Sequence, residues 1–344
     1  MTDRVRILND RITIADGLSI SFQRTLRIPD DGRDYPLPPG LGNFPIRRVD
    51  DFRDRVPAEW LEHGGVFLPM YQREAMWICF HGQYWKPRAV KVGVGKVCAI
   101  TGNPWREAMH HDPQDYIVTP PQPWLDGICV GRGAIRQFVA MPLGMGYTVE
   151  GQVTGHETVG GIQLKVIEPR AGRFPDAPVD EMVMCQRLTS TGFGAPAPKA
   201  MSGAIAPGRA RSGAMGIAAG GRMKQSVYSD PHRIDSWDEA NASRVFVHIV
   251  NSELWREITG EAAPATPVTA REYAAHNLPW FDLYDESLAA VSAASILSNV
   301  HSVKALDAKK SNVPLQDDEP VDVGPVKKFL TTVAKNLGVR DGKW

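Results

Sequence analysis

Apolar and polar residues alternate along several short stretches of the first half of the chain, which is the pattern of half-buried β-strands. In residues 88–94 the valines share one face, while Lys91 and Gly93 share the other. Residues 18–22 alternate in the same way, and an Asp-Gly pair before them favours a tight turn from residues 12–14. The first half therefore predicts antiparallel hairpins.

Later stretches add one more hairpin, a buried strand and helices. A hairpin is predicted within residues 147–166, and residues 244–250 are apolar on both faces, which predicts a central strand. Thr269 and Glu272 have the spacing of a capping box, in which each side chain satisfies a first-turn backbone donor. Residues 287–306 place apolar side chains at helical intervals. Helices are therefore expected near the C-terminal end.

These patterns predict an α+β fold: a β-rich body of antiparallel hairpins, with helices concentrated in the C-terminal third. An all-β sandwich with helical additions is the alternative. Composition divides the chain into a β-rich domain at 1–188, a Gly/Ala-rich irregular basic loop at 189–226, a buried strand plus helices packing on the body at 227–306, and a flexible linker with an amphipathic tail at 307–344.

The overall charge excludes some classes of partner. The 344 residues carry 39 basic and 39 acidic side chains, so the formal net charge is zero, and general nucleic-acid binding is not expected. The first residues are charged and lack the apolar core of a secretory leader. No apolar run approaches the roughly 18 residues that a membrane-spanning helix needs. We therefore expect a soluble, cytoplasmic protein without a membrane span.

The charges are distributed unevenly along the chain. Residues 182–229 contain no Asp or Glu, and within them residues 192–221 consist mainly of Gly, Ala, Pro and Ser. A long loop of this kind can bind a phosphate or carboxylate through glycine N–H groups and basic side chains. Such a loop can equally stay mobile or become ordered against another subunit. The anion-binding candidates are Arg209, Arg211, Arg222 and Lys224.

Nine tryptophans are many for this length, and five of them fall between residues 60 and 124. If several were exposed, they would form a platform for contacts with a sugar, a base or a protein. If they were buried, they would be part of the core of a β-rich domain, and the usual burial of aromatic rings favours this interpretation. The candidates for an aromatic surface are Trp77, Trp85, Trp105 and Trp124.

Metal ligands, nucleophiles and phosphate loops are only weakly indicated. His110, His111 and Asp112 form the densest cluster of ligand types, but adjacent histidines on a strand point to opposite faces, so no metal is expected. The four cysteines lie far apart and predict buried free thiols. Gly-Val-Gly-Lys at 93–96 lacks the spacer of a phosphate-binding loop, so we predict turn glycines there. No cofactor is expected.

Two classes of function are compatible with these observations. The favoured hypothesis is a non-catalytic binding or assembly protein, one version being a self-associating subunit, because zero net charge does not oppose association. The partner would be a second copy of the chain or another protein. The alternative is an enzyme acting on a small anionic substrate, with residues 192–224 as an anion-binding lid. The sequence does not distinguish an enzyme from a binding protein, because catalytic residues converge in space.

Overall fold

Nineteen strands, six α-helices and three short 3-10 helices make up the regular structure in the described part of a computed structural model, which covers residues 4–15, 17–176, 213–285, 287–292, 295–310, 312 and 315–328. The result is a β-rich α+β fold with most helices in the C-terminal half, so the predicted fold class is confirmed. The strands are β1 Val5–Leu8, β2 Arg11–Ile14, β3 Leu18–Thr25, β4 Asp34–Tyr35, β5 Gly40–Asn43, β6 Arg47–Arg48, β7 Val66–Met70, β8 Ala75–His81, β9 Arg88–Val94, β10 Val97–Cys98, β11 Ile117–Thr119, β12 Trp124–Leu125, β13 Gly127–Gly131, β14 Ala134–Pro142, β15 Ile162–Pro169, β16 Ala214–Lys224, β17 Trp237–Asn251, β18 Trp280–Asp282 and β19 Val326–Lys328. The α-helices are α1 Ala58–His63, α2 Val149–Thr154, α3 Ser252–Thr259, α4 Ala270–Ala275, α5 Ser295–Ser298 and α6 Val303–Lys309, and the 3-10 helices are Val49–Phe52, Ile234–Ser236 and Gln316–Asp318.

One large sheet organises the molecule. Antiparallel neighbours follow one another in the order β1-β2-β3-β8-β14-β16-β17-β15-β9-β11. The pairing of β16 with β17 involves only Ala214 and Met215 on the β16 side, and it joins two arms of the sheet. The first arm runs from β1 to β16 in this order, and the second arm runs from β17 to β11. β17 lies between β15 and the parallel strand β7, so the prediction of a central strand at 244–250 is confirmed.

Both arms of the sheet face the same hydrophobic core. Phe22 and Ile78 come from the first arm, while Val92, Leu164 and Val247 come from the second, and all five are almost fully buried in one cluster. Alternation along each strand places these side chains inward and the intervening ones outward. The core is thus enclosed mainly by strands of the two arms, and Val149 of α2 and Leu297 of α5 add to it from outside the sheet.

Short helices cover the ends and outer faces of the sheet. Trp60 of α1 and Trp255 of α3 pack with Phe67 of β7 in a separate apolar cluster. The predicted capping box at the start of α4 is present, with Thr269 and Glu272 each accepting a backbone N–H. Within the described ranges, no helix is long and apolar enough to cross a membrane.

The predicted irregular loop at 189–226 is wrong for residues 214–224, which form β16 and pair along β14. Small residues are needed here because neighbouring chain segments approach closely. A Cβ atom at Gly221 would lie 2.3 Å from the carbonyl oxygen of Pro29. The glycine-rich composition therefore reflects tight packing in a buried strand. Residues 189–212 of the predicted loop lie outside the described part of the chain.

Two further predictions of local structure are wrong. The expected hairpin within 147–166 keeps its second strand as β15, but its first strand is replaced by α2, which Thr148 caps by accepting the N–H of Gly151. The carboxylate of Glu150 then accepts three consecutive backbone N–H groups of the following loop, which turns the chain back. The expected continuous helix at 287–306 is replaced by the short helices α5 and α6. α5 ends at Ser298, and α6 begins separately with Ser302 as its N-cap.

The flexible linker expected after residue 307 is replaced in part by packed structure. Asp318 forms a buried ion pair with Arg27, and Val321 joins an apolar cluster that contains Trp280. β19 pairs in parallel with β18. The remaining part of the predicted amphipathic tail, residues 329–344, lies outside the described residues.

Candidate ligand-binding pocket

The outer face of the second arm carries a row of three cationic side chains. Lys91 of β9 is the cross-strand partner of Lys165 on β15, and Lys165 is in turn the partner of Arg244 on β17. The predicted alternation of 88–94 is confirmed, because the valines face the core and Lys91 faces outward. Like charges on neighbouring strands repel one another, so this row requires acceptors above it. The segment 105–115 supplies them.

Lys91 anchors that segment to the sheet. Lys91 is only 1% exposed, and its ammonium group donates to the backbone oxygen of Arg106 at 2.9 Å, to that of Ala108, and to Asp115 Oδ2 at 2.8 Å. The ring of Trp105 lies 5.5 Å from Nζ, which adds a cation–π contact. All three ammonium protons therefore have an acceptor, and the buried charge has a carboxylate partner.

The other two cations hold the same segment through Glu107. Lys165 donates to the backbone oxygen of Glu107, and its Nζ also lies 3.5 Å from Oε2 of that residue. Arg244 Nε donates to Glu107 Oε2 at 2.7 Å. Burial alone would raise the pKa of Glu107, but hydrogen bonds from Trp105 and Arg244 and the charge of Lys165 hold that pKa at about 2. The segment is thus fixed at two successive points.

An imidazole faces a buried carboxylate at the mouth of this region. Asp115 is 8% exposed, and its Oδ1 accepts the backbone N–H of His110 at 2.9 Å. Its Oδ2 lies 3.4 Å from His110 Nδ1, while 41% of the His110 side chain is exposed. A carboxylate beside Nδ1 favours a proton on that nitrogen and leaves Nε2 as an acceptor. His110 can therefore accept a proton or a hydrogen bond from a bound molecule.

These groups surround a cavity of about 150 Å³, which Thr101 and Asn103 also line. The Trp105 ring forms one wall and packs directly on Gly93, where a Cβ atom would lie 2.7 Å from the ring. Gly93 is therefore a packing glycine inside β9, so the prediction of a turn glycine is wrong at this position. The turn itself lies at Gly95 and Lys96, which both have positive φ.

One charge of each sign remains available at the cavity. Arg106 and Asp112 both line it, both are exposed, and neither side chain has a hydrogen bond or an ion pair to another described residue. The backbone of Arg106 is held by Lys91, so its position is set even though its guanidinium has no carboxylate partner. The cavity thus offers a small ligand an unpaired cation and an unpaired carboxylate.

The cysteine at the cavity is a poor candidate for a nucleophile. Burial raises the pKa of Cys98, and its thiol donates to the backbone oxygen of Asp115 at 3.6 Å. Burial likewise raises the pKa of Cys79 to about 12 and that of Cys129 to about 11. The reactive form of cysteine is the thiolate, which these shifts disfavour. The prediction of buried free thiols is confirmed for these three residues, while Cys185 lies outside the described part.

The weak metal candidates do not converge on one point. His110 faces Asp115, whereas His111 Nδ1 lies 3.5 Å from the hydroxyl of Tyr116. Asp112 contributes only its exposed carboxylate at the cavity. Throughout the described ranges, no group of three or more His, Cys, Asp or Glu side chains is arranged to hold a metal ion.

The four tryptophan candidates are half-buried, and only Trp105 lines this cavity. Trp77 and Trp124 pack edge to face, with ring centroids 6.1 Å apart. Trp85 packs edge to face against Tyr84 at 5.1 Å. The structure therefore places two of the four candidates in contact with each other and the other two elsewhere. A shared aromatic platform stays a prediction.

One of the four anion-binding candidates, Arg222, is paired with a carboxylate that the sequence did not indicate. Arg222 Nε donates to Asp34 at 2.9 Å, because β16 pairs with β4 and places the two residues side by side. Lys224 is exposed at the end of the same strand. Arg209 and Arg211 lie outside the described residues. The acid-free stretch thus receives its carboxylate from a distant part of the chain.

Sequence reasoning missed the roles of Lys91, Asp115 and Arg106. A signal was present, because Lys91 and Lys165 each interrupt a strand that is otherwise rich in valine, isoleucine and leucine. A lysine in such a strand requires acceptors from a covering segment. Asp115 and Arg106 carry no comparable signal, since their roles follow from how that segment folds over the sheet.

A second cavity of about 380 Å³ lies between α1 and α3. Its walls are both apolar and polar, with Trp60 and Leu254 lining it together with Arg55 and Glu257. Gly213, the first residue described after 176, also lines it, so this wall is only partly defined by the described residues. The cavity over Lys91 is lined by residues that are all described, and it is the better-defined site.

No protein-family model, no curated protein and no solved structure matches this chain.

Proposed function

We propose that this protein is a non-catalytic binding protein that holds a small ligand in the cavity over Lys91. The observation that supports this proposal is a rigid frame with unused polar groups. Lys91 and Lys165 fix the covering segment to the sheet, whereas the side chains of Arg106 and His110 stay available at the cavity. Binding sites commonly combine a preformed cavity with a few such groups.

The chemistry of the cavity supports binding more than covalent catalysis. Lys91 is hydrogen-bonded at every ammonium proton, and Cys98 is kept as a thiol by its raised pKa. These groups therefore act as parts of the wall. Trp105 adds an apolar surface that can contact the carbon atoms of a ligand.

A second candidate function is an enzyme that acts on a small substrate in the same cavity. His110 beside Asp115 favours it, because a carboxylate that orients an imidazole is a common arrangement for a general base. In this version the substrate would occupy the cavity, and His110 Nε2 would accept the proton. The anion-binding lid is not part of this version, since residues 214–224 belong to β16.

The proposal keeps the partner and location that composition favours. The partner is a second copy of the chain or another protein, and the location is the cytoplasm. Native mass spectrometry of the full chain tests self-association. We expect a dimer or larger assembly at micromolar concentration, and a monomer alone would contradict this part of the proposal.

Blocking the cavity tests the binding function. The probes are a set of neutral, anionic, cationic and zwitterionic fragments, and we expect some of them to bind the full chain in ligand-observed NMR. Asn103→Trp should weaken this binding at least tenfold, because the indole fills the cavity. Ala58→Trp places the same side chain on an exposed position of α1 and should change nothing. If no fragment binds, or if Asn103→Trp binds as well as the unmodified protein, the proposal is wrong.

A further inference from the structure

The size of the cavity over Lys91 limits its ligand. A volume of about 150 Å³ matches the size of an engineered cavity that accommodates benzene, so the ligand has only about six to eight heavy atoms in the cavity. Nucleotides and sugars of ordinary size exceed this limit. A small metabolite with few functional groups fits.

The charges that line the cavity limit the ligand further. Lys91 and Asp115 neutralise each other at 2.8 Å, so neither attracts a charged ligand strongly. The remaining charges are Arg106 and Asp112, which have no partner among the described side chains. A simple anion would pair with Arg106 but would be repelled by Asp112. A simple cation would pair with Asp112 but would be repelled by Arg106. A ligand with both charges satisfies both residues.

The geometry of the wall favours the same ligand. A guanidinium presents a fork of N–H groups that fits a carboxylate, and Lys91 fixes the backbone from which Arg106 extends. The Trp105 ring beside the cavity offers an apolar surface to the carbon atoms of a ligand. Asp112 supplies a carboxylate for a ligand ammonium group.

We infer that the cavity over Lys91 binds a small zwitterion with one carboxylate and one ammonium group, of the size of a short-chain free amino acid. This inference rests on the proposed binding function, and it adds the class of ligand. Arg106 binds the carboxylate, Asp112 binds the ammonium, and Trp105 contacts the carbon skeleton.

Four probes of similar size test the inference: alanine, propionate, isopropylamine and propionamide. We expect alanine to bind the full chain in ligand-observed NMR, and the three others to bind at least tenfold more weakly. Arg106→Gln and Asp112→Asn should each weaken alanine binding at least tenfold. Arg6→Gln and Asp54→Asn remove exposed charges elsewhere and should leave it unchanged. Circular dichroism confirms that each variant is folded.

The outcomes separate the ligand class from the binding function. If propionate binds as tightly as alanine and Asp112→Asn has no effect, the zwitterion inference is wrong. If none of the four probes binds, while other fragments bind the unmodified protein and bind the Asn103→Trp variant more weakly, the ligand class is wrong and the binding function stands. If no molecule of any charge class binds in the cavity, both are wrong.

Discussion

Asp126, between β12 and β13, is 1% exposed and forms no ion pair with a described residue. Burial raises the pKa of its carboxyl group to about 8, although the hydrogen bond from Gln225, at 2.6 Å, lowers it in part. The group is therefore mostly protonated at neutral pH in the folded protein. In the unfolded chain it ionises near its ordinary value.

This difference makes stability depend on pH. Below about pH 4 both states hold the proton. Between pH 4 and pH 8 only the folded state holds it, so the free energy of unfolding falls as pH rises, by at most about 1.4 kcal/mol per pH unit from this group. We expect Asp126→Asn to remove this component. Relative to the unmodified protein, the variant should gain stability from pH 5 to pH 8 in urea unfolding, and a constant difference across that range would contradict the pKa shift.

No local pattern distinguishes Asp126 from the surface aspartates of the chain. It follows a leucine and precedes a glycine, as residues in exposed turns often do. Its burial depends on Gln225, which is 99 positions away and bonds both its backbone and its side chain. The ion pair of Arg222 was equally invisible in the local sequence, because its partner Asp34 lies on a different strand.

At the scale of elements, the two lysines that hold the segment over the second arm differ in their partners. Lys91 pairs with the buried Asp115, whereas Lys165 pairs with the exposed carboxylates of Glu107 and Glu239. Replacing Lys91 leaves a carboxylate buried without its cation. Replacing Lys165 leaves carboxylates that water can solvate.

We therefore expect Lys91→Met to lower the free energy of unfolding by about 3 to 5 kcal/mol. Lys165→Met should cost about 1 kcal/mol, the value of a lost hydrogen bond. Urea unfolding of the two variants measures the difference. Equal losses would show that Asp115 is solvated after the change, in conflict with its burial.

Predictions of single elements succeeded where a period in the sequence coincided with a local signal. The alternation at 88–94 corresponds to β9, and the Asp-Gly pair before 18–22 lies between the antiparallel strands β2 and β3. The capping box of α4 was also recognisable, because all its members lie within four residues. The strand at 214–224 was missed, since its glycines are required by neighbours that sequence spacing does not show.

At the scale of the whole molecule, the C-terminal part of the chain returns to the N-terminal strands. Asp318 and Arg27 form a buried ion pair across 291 positions. Two other nitrogens of Arg27 are buried without a hydrogen bond to a described residue, so its charge depends on Asp318. Residues near 318 therefore contribute to the body of the protein.

We expect Asp318→Asn to lower Tm by several degrees, because the buried guanidinium loses its charged partner. Asp317→Asn is the matched control, since the neighbouring Asp317 side chain is only half-buried and has no ion pair within the described part. Thermal unfolding followed by circular dichroism measures both. Equal Tm values for the two variants would favour the flexible linker expected from composition.

The sequence alone determined the β-rich character, the inward face of β9 and the absence of a strong overall charge, because these depend on residue type and local spacing. Only the tertiary structure decided the strand order, the return of the chain near Asp318 and the cavity over Lys91. Backbone hydrogen bonds between strands are alike for every sequence, so partner and register are chosen by burial across the whole molecule. Arg106, Asp112 and Asp115 acquire their roles only when their segment lies over the sheet.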